Sequence, residues 1–564
     1  MNERTHWEVK LRYRSIIGLV GAAALAVTVA CSSSVTSTPE VGSTAARPTV
    51  AATAVVEEAG AAEAVRAGLE GGLPGFSRAT VGWNGYWYSR YNLGELTMMS
   101  GLGITFAPPA EAVMQMMATA DPNPGSGEDV PMIKNAALLT AVFASADPHF
   151  AQPNNGDPMD LSNGRLDPAT FDTTITPGAQ GMTIIKEAEW AKLFLLPAWS
   201  GTLDADFGAF DRFKGLVLFA SAKMQARFAL ENLRNADGLF IAAIADGDEI
   251  TQSLEAAQPY DQYVMIIALS DILSVLDQPE LWQGVHRDDG ARDMFHGALD
   301  ELYVLVSDSV TPELIEELSW AARSDVWFAS RTTDPVLQFR ALANLREHGD
   351  ALLAADADGP VEHAQRLRGL IEAGRVLNDA RYIDAAVFDF TAIERAFDRT
   401  TGALDGVSTL RAADVADLLG ALNAIGQYGG PEFEASRAAA VLVPFYEATV
   451  NMGGLQMAAP PKEMEASPFE LERAGGDDLV FAYPTVKTPA AAGGVAPVTG
   501  GAVSFTDGRW QLSDPRYDTH GAMHLANEQF WLFGMVPAFQ NVDRATAALH
   551  TGFPEVAVPL VSIR

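Results

Sequence analysis

From residue 212 to residue 450 the chain keeps returning to one pattern, with apolar residues three and four apart for several turns and then a cluster of Gly, Asp or Pro. "RFKGLVLFASAKMQARFALENLR" (212–234), "YDQYVMIIALSDILSVL" (260–276), "PVLQFRALANLREHGDALLAA" (335–355), "ADVADLLGALNAIGQY" (413–428) and "EASRAAAVLVPFYEATV" (434–450) all show it. That spacing lines the apolar side chains along one face of a helix, and the punctuating residues end it. About fourteen helices are predicted for the chain in this way. Strand signals are few. The clearest is "AVSFTDGRWQL" (502–512), where Asp507-Gly508 between apolar and aromatic residues predicts a tight hairpin.

The helical segments echo one another. "LENLRNADGLF" leads through an acidic loop to "DQYVMIIAL" at Asp261–Leu269, and "IERAFDRTTGALDG" leads to "DVADLLGAL" at Asp414–Leu422. "DPVLQFRAL" at Asp334–Leu342 repeats the spacing of an opening Asp with Ala-Leu seven and eight residues on. An aspartate at a helix start caps free amides and small residues allow close packing, so the pattern describes an array of helical hairpins. With the hinges "NADGLF" and "DRTTGALDG", the region of roughly residues 190–450 resembles the (α/α) toroids, such as the six-hairpin glycosidases and the N-acylglucosamine epimerase group. The expected fold class is therefore all-α: repeated helical hairpins forming an (α/α) toroid, with a small β-hairpin near the C-terminus. The likeness is one of architecture and carries over no catalytic residue; an open solenoid would repeat in the same way.

The N-terminus reads differently. Lys10, Arg12 and Arg14 precede sixteen mostly apolar residues, Ser15 to Ala30, too few to cross a bilayer as a helix. Thr28-Val29-Ala30 then leads into Cys31, the only cysteine of the chain. This stretch resembles a bacterial lipoprotein signal, which implies cleavage after residue 30 and acylation of Cys31. Residues 31–75, rich in Ser, Thr, Ala and Pro, have the composition of a flexible tether, and residues 76–564 are expected to form the toroid-like domain. The implied location is the cell envelope, with the membrane as partner through the acyl chains.

Charge narrows the possible partners. The formal net charge is −34, and loss of residues 1–30, with four basic and two acidic residues, takes it to −36. Such a surface repels phosphate backbones, so a nucleic-acid partner is excluded. No disulfide or cysteine metal site is open to a mature chain whose one cysteine is its first residue.

Four groups of residues could carry chemistry. In "DTHGAMHLANEQFW", His520, His524 and Glu528 fall four apart, on one helical face, and such a set suits zinc or another divalent transition metal. In "VGWNGYWYSRYNLG", Trp83, Trp87 and Tyr88 could stack on a sugar ring, or else pack the end of the helical body. Met98, Met99, Met114, Met116, Met117 and Met132 could hold copper(I), or simply fill the core. Asp157, Asp160, Asn163 and Asp167 in one loop, and Asp246, Asp248 and Glu249 in another, offer oxygens to calcium without forming an EF-hand.

Two functional classes survive. One is a lipid-anchored envelope protein whose helical body binds a carbohydrate or protein partner. The alternative is a carbohydrate-active, glycoside-processing toroid enzyme with two carboxyl groups as acid and base; with 72 acidic residues to choose from, the sequence singles out no pair. The anchor is directly testable. A fatty-acid analogue is expected to label the wild-type protein and not Cys31→Ser, and equal labelling of both would overturn the acylation.

Overall fold

The computed structural model describes residues 78–94, 100–121, 135–152, 165–195, 209–278, 287–458 and 495–533, less some single positions and side chains, together with Phe553, Pro554 and Val556. Cys31 and the tether lie outside the described residues, as do Met98, Met99, Met132, Asp157, Asp160, Asn163 and Asp248.

Thirteen α-helices occur among the described residues. In chain order they are α1 (Arg78–Gly94), α2 (Ala110–Ala120), α3 (Pro177–Leu195), α4 (Ala209–Asn232), α5 (Pro259–Leu276), α6 (Asp289–Ser309) and α7 (Ile315–Ala329). Then follow α8 (Pro335–Ala354), α9 (Pro360–Leu377), α10 (Ala380–Ala396), α11 (Ala412–Tyr428), α12 (Ala435–Tyr446) and α13 (Thr519–Phe533). Helix α3 packs on α5, α5 on α7, α7 on α9, α9 on α11, α11 on α13, and α13 back on α3. Six inner helices therefore close a ring. Each inner helix also leans on an outer one: α4, α6, α8, α10 and α12 follow their inner partners in sequence, while the partner of α13 is α1, from the other end of the described chain. The fold is an (α/α) toroid, and it runs from Arg78 to Phe533, well beyond the 190–450 stretch in which the sequence echo is visible.

Burial follows from position in the ring. Inner helix α5 is buried without a break from Gln262 to Leu276, because it is covered on every side. Outer helix α10 buries only Tyr382, Ala386, Asp389, Phe390 and Ile393, one stripe at helical spacing. The inner helices run in the same direction. Residues near their N-termini meet across the ring (Gly178, Tyr260 and His520), and so do residues near their C-termini (Lys192 and Asp271).

The echoing segments take two different places. Asp261 and Asp414 open inner helices, whereas Asp334, whose side chain accepts from the Val336 amide, caps an outer one. The hairpin near the C-terminus has strands Ala502–Thr506 and Arg509–Asp514, with both Asp507 and Gly508 at positive φ as a primed turn requires. It adds strand Thr409–Arg411 at its edge, which sets the chain beside the start of α11 before the last inner helix. Several short strands carried no readable signal, among them Leu138–Val142, which pairs with Gly103–Phe106. The "ADGDE" loop is the turn of another hairpin, Ala243–Asp246 with Glu249–Gln252. No helix of the described residues is long and apolar enough to cross a membrane.

The pairing of the first outer helix with the last inner one depends on one close approach. A Cβ built on Gly85 of α1 would lie 2.6 Å from the Gln529 carbonyl oxygen of α13, a backbone atom that cannot step aside. Gly85→Ala is therefore expected to lower unfolding stability by about 1–3 kcal/mol in chemical denaturation. Gly297→Ala on α6, where a Cβ meets nothing within 4 Å, should be neutral or slightly stabilising. Equal stability of the two variants would contradict that pairing.

Candidate functional site

Because the inner helices run in parallel, their first two turns converge at one end of the ring, and the polar side chains there make a mouth. Tyr260 and Asp261 come from the first turn of α5, Glu316 and Trp320 from α7, Asp417 from α11, and His520 and His524 from α13. Aromatic edges hold the group together. Tyr260 meets Trp320 at 5.3 Å between ring centroids and His520 at 5.1 Å, and Trp320 meets His524 at 5.3 Å.

Burial sets the protonation of these groups. The Tyr260 phenol is pushed well above its ordinary value by burial and by the negative charges of Glu316, Asp417 and Asp261. It stays protonated, and its oxygen shares a hydrogen bond of 2.6 Å with Nε2 of His520. Both imidazoles are held neutral at physiological pH. His520 is lowered chiefly by burial, and His524 is lowered further by burial and the charges of Arg323, His520 and Arg368.

The carboxyl groups move the other way. Asp417 rises well above its ordinary value through burial and the like charge of Glu316, with the Gln365 amide donating to it at 2.7 Å in opposition. Its Oδ1 lies 3.5 Å from Nε2 of His524. Asp261 is raised to about 7 by burial, although it accepts from the Gly178 amide. Glu316 is raised too, again by burial first. Gly178 makes this crowding possible, since a Cβ there would sit 2.8 Å from Oδ1 of Asp261 and 3.4 Å from the His520 ring. The mouth thus holds one carboxyl raised well above its ordinary value and another raised to about 7, the kind of pair that acid–base catalysis uses.

One turn deeper the ring axis is sealed by charge. Glu528 lies 3.6 Å from Arg323 and 3.9 Å from Arg368, all three nearly inaccessible. The Arg323 guanidinium stacks 3.8 Å from the centre of the Trp320 ring, forming the floor of the mouth. Burial lowers Arg323 to about 10, so it remains charged. A Cβ on Gly420 would fall 2.6 Å from the Glu528 carboxyl carbon, so only glycine leaves room for that group.

The sequence-based candidates are distributed unevenly. His520, His524 and Glu528 do share a face of α13 and turn into the ring, but they are divided by depth. His520 and His524 belong to the mouth, with ring centroids 6.4 Å apart, and Glu528 belongs to the arginine floor. No group of three His, Cys, Asp or Glu able to hold a metal occurs among the described residues. Trp87 and Tyr88 sit on outer helix α1, where Trp87 packs against Tyr86 and Tyr91 and Tyr88 donates to Asn451 at 2.9 Å. Both are core residues remote from the mouth, and the side chain of Trp83 lies outside what is described. Met116 and Met117 pack against the core, and Asp167 caps a short 3-10 turn. Sequence reading missed Tyr260, Glu316, Trp320 and Asp417. The usable signal was the echo itself, because Asp261 and Asp414 mark the mouth end of two inner helices and Asp417 follows one turn later.

No protein-family model and no curated protein matches the chain. Among solved structures, a D-mannose isomerase is similar over 75% of this chain and 97% of its own, at 10% identity and a TM-score of 0.41. The cellulase Cel9M of C. cellulolyticum is similar over 84% of this chain and 98% of its own, at 9% identity and a TM-score of 0.43. An endoglucanase of the termite Nasutitermes takasagoensis covers 84% and 99%, at 10% identity and a TM-score of 0.39. Likenesses at these scores assign neither fold nor chemistry to this chain, and its ring rests on its own helix packing.

Proposed function

We propose that the protein is a carbohydrate-active enzyme that processes glycosides at the mouth of the ring, with Asp417 as general acid and Asp261 as general base. The observation that carries this reading is the pair of perturbed carboxyls gathered at one end of the ring: Asp417, raised well above its ordinary value and 3.5 Å from Nε2 of His524, and Asp261, raised to about 7. Glycoside hydrolysis needs one protonated carboxyl to give a proton to the leaving oxygen and one ionised carboxyl to activate water or attack. Tyr260 and His520, both partly exposed, offer aromatic rings with polar tips, which suits a sugar. The gathering of such carboxyls with two imidazoles at one end of the ring favours this reading, and the binding-protein reading takes second place. Anchored by acyl chains on Cys31, the enzyme would work at the envelope surface on a glycan that the tether allows it to reach.

The pH dependence follows from the two roles. A base works ionised, so activity should rise with pH through about 7, the value of Asp261. An acid works protonated, so activity should fall again above the raised value of Asp417. Release of reducing ends from a panel of oligosaccharides is expected to show this bell. Asp417→Asn should lower kcat by about 10²–10⁴-fold with little change in KM, and Asp261→Asn should abolish the rising limb. Turnover by both variants at the wild-type rate, or none by the wild type on any glycan, would overturn the assignment.

A further inference from the structure

Two arginines border the mouth, and both already face a carboxylate. Arg411 is the one cation among the groups that shift Glu316, and its guanidinium is clasped by Asp414 at 2.7 Å. Arg323 lies under the Trp320 ring and faces Glu528. The Glu316 carboxylate, half-buried in the first turn of α7, makes no hydrogen bond or ion pair among the described residues.

The six helix N-termini that converge here would by themselves attract an anion. The chain already meets that attraction with its own carboxylates. Asp261 accepts from the Gly178 amide, and Asp414 accepts from the Arg411 amide at 2.8 Å. What is left facing a ligand is Glu316 with Asp261 and Asp417, three carboxyls each raised chiefly by burial, Asp417 also by the charge of Glu316. Beside them Nε2 of His524, on a residue only 2% exposed, makes no hydrogen bond. An incoming N–H or O–H would satisfy that nitrogen and a cation would relieve the carboxylates, whereas a second carboxylate would meet repulsion in a desolvated site.

Building on the carbohydrate reading above, we infer that the mouth selects a glycan bearing protonated amino groups, that Glu316 is the residue that selects it, and that uronate-containing glycans are rejected. The Glu316 carboxylate would take the ammonium group, while Asp417 and Asp261 remain free for the glycosidic bond.

The test uses the full chain carrying Asp417→Asn, which blocks turnover and replaces a protonated carboxyl by a neutral amide. Calorimetric titration with glucosamine, N-acetylglucosamine and galacturonate hexamers would be run at about pH 6, where the free amine is charged. The glucosamine hexamer is expected to bind about tenfold tighter than its N-acetylated counterpart. The gap should close in about 0.5 M NaCl, where the Debye length is short. Adding Glu316→Gln should close it as well without weakening the N-acetylated ligand, and the galacturonate hexamer should not bind. Equal affinity of the glucosamine and N-acetylglucosamine hexamers, or tight binding of galacturonate, would overturn the charge selection and leave the carbohydrate reading standing. Failure of every glycan, including neutral cello- and manno-oligosaccharides, would overturn both.

Discussion

Glu528 is the charge on which the rest of the ring depends. A carboxylate on the axis of six packed helices is costly unless cations reach it, and here Arg323 from α7 and Arg368 from α9 do so at 3.6 Å and 3.9 Å. The three residues come from three helices. Their neutralisation therefore requires α7, α9 and α13 to stand at fixed depths, with Gly420 of α11 giving room for the carboxyl group. Loss of one partner would leave a buried charge uncompensated, a change that typically costs about 3–5 kcal/mol. The same cluster closes the axis beneath the mouth, and by placing Arg323 under Trp320 it fixes the floor on which a ligand would rest.

Above that floor the charge balance reverses. The arginines are engaged at the Glu528 level, and their charge reaches the mouth only from beneath. Desolvation is the largest influence there, raising Asp417 and Asp261 against the Gln365 and Gly178 amides and, together with the charges of Arg323 and Arg368, lowering His524. A structural layer and a reactive layer thus sit one turn apart on the same helices. His524 and Glu528, four residues apart on α13, show the division within a single face: one imidazole turned to the acid mouth, one carboxylate locked between arginines.

Much of the fold could be read from the chain, and for a physical reason. Outer helices bury one stripe, so their apolar spacing is plain, as α8 at 335–354 and α10 at 380–396 show. Inner helices such as α5 are buried all round, and their nearly continuous apolar run still gives a helix of the right length. Closure was not legible, because it joins α13 to α3 across more than 300 residues, as where Nζ of Lys186 donates to the Ala526 carbonyl, and local periodicity carries no such information. The His520–His524–Glu528 stripe was visible as a polar face. Its division between mouth and floor was not, since depth along a ring axis depends on which arginines the neighbouring helices supply. Asp417 was hidden among many acidic residues, and only knowledge of which helices are inner brings it forward.

The central claim is that the mouth formed by the inner-helix N-termini is where this protein handles a glycan. The most direct measurement is a crystal structure of the Asp417→Asn variant soaked with an oligosaccharide that it binds. A sugar ring lying against Tyr260, with a glycosidic oxygen within hydrogen-bond reach of position 417 and Asp261 beside it, is the expected result. A sugar bound instead along the outer helices, with the mouth closed over by its own side chains, would contradict the claim.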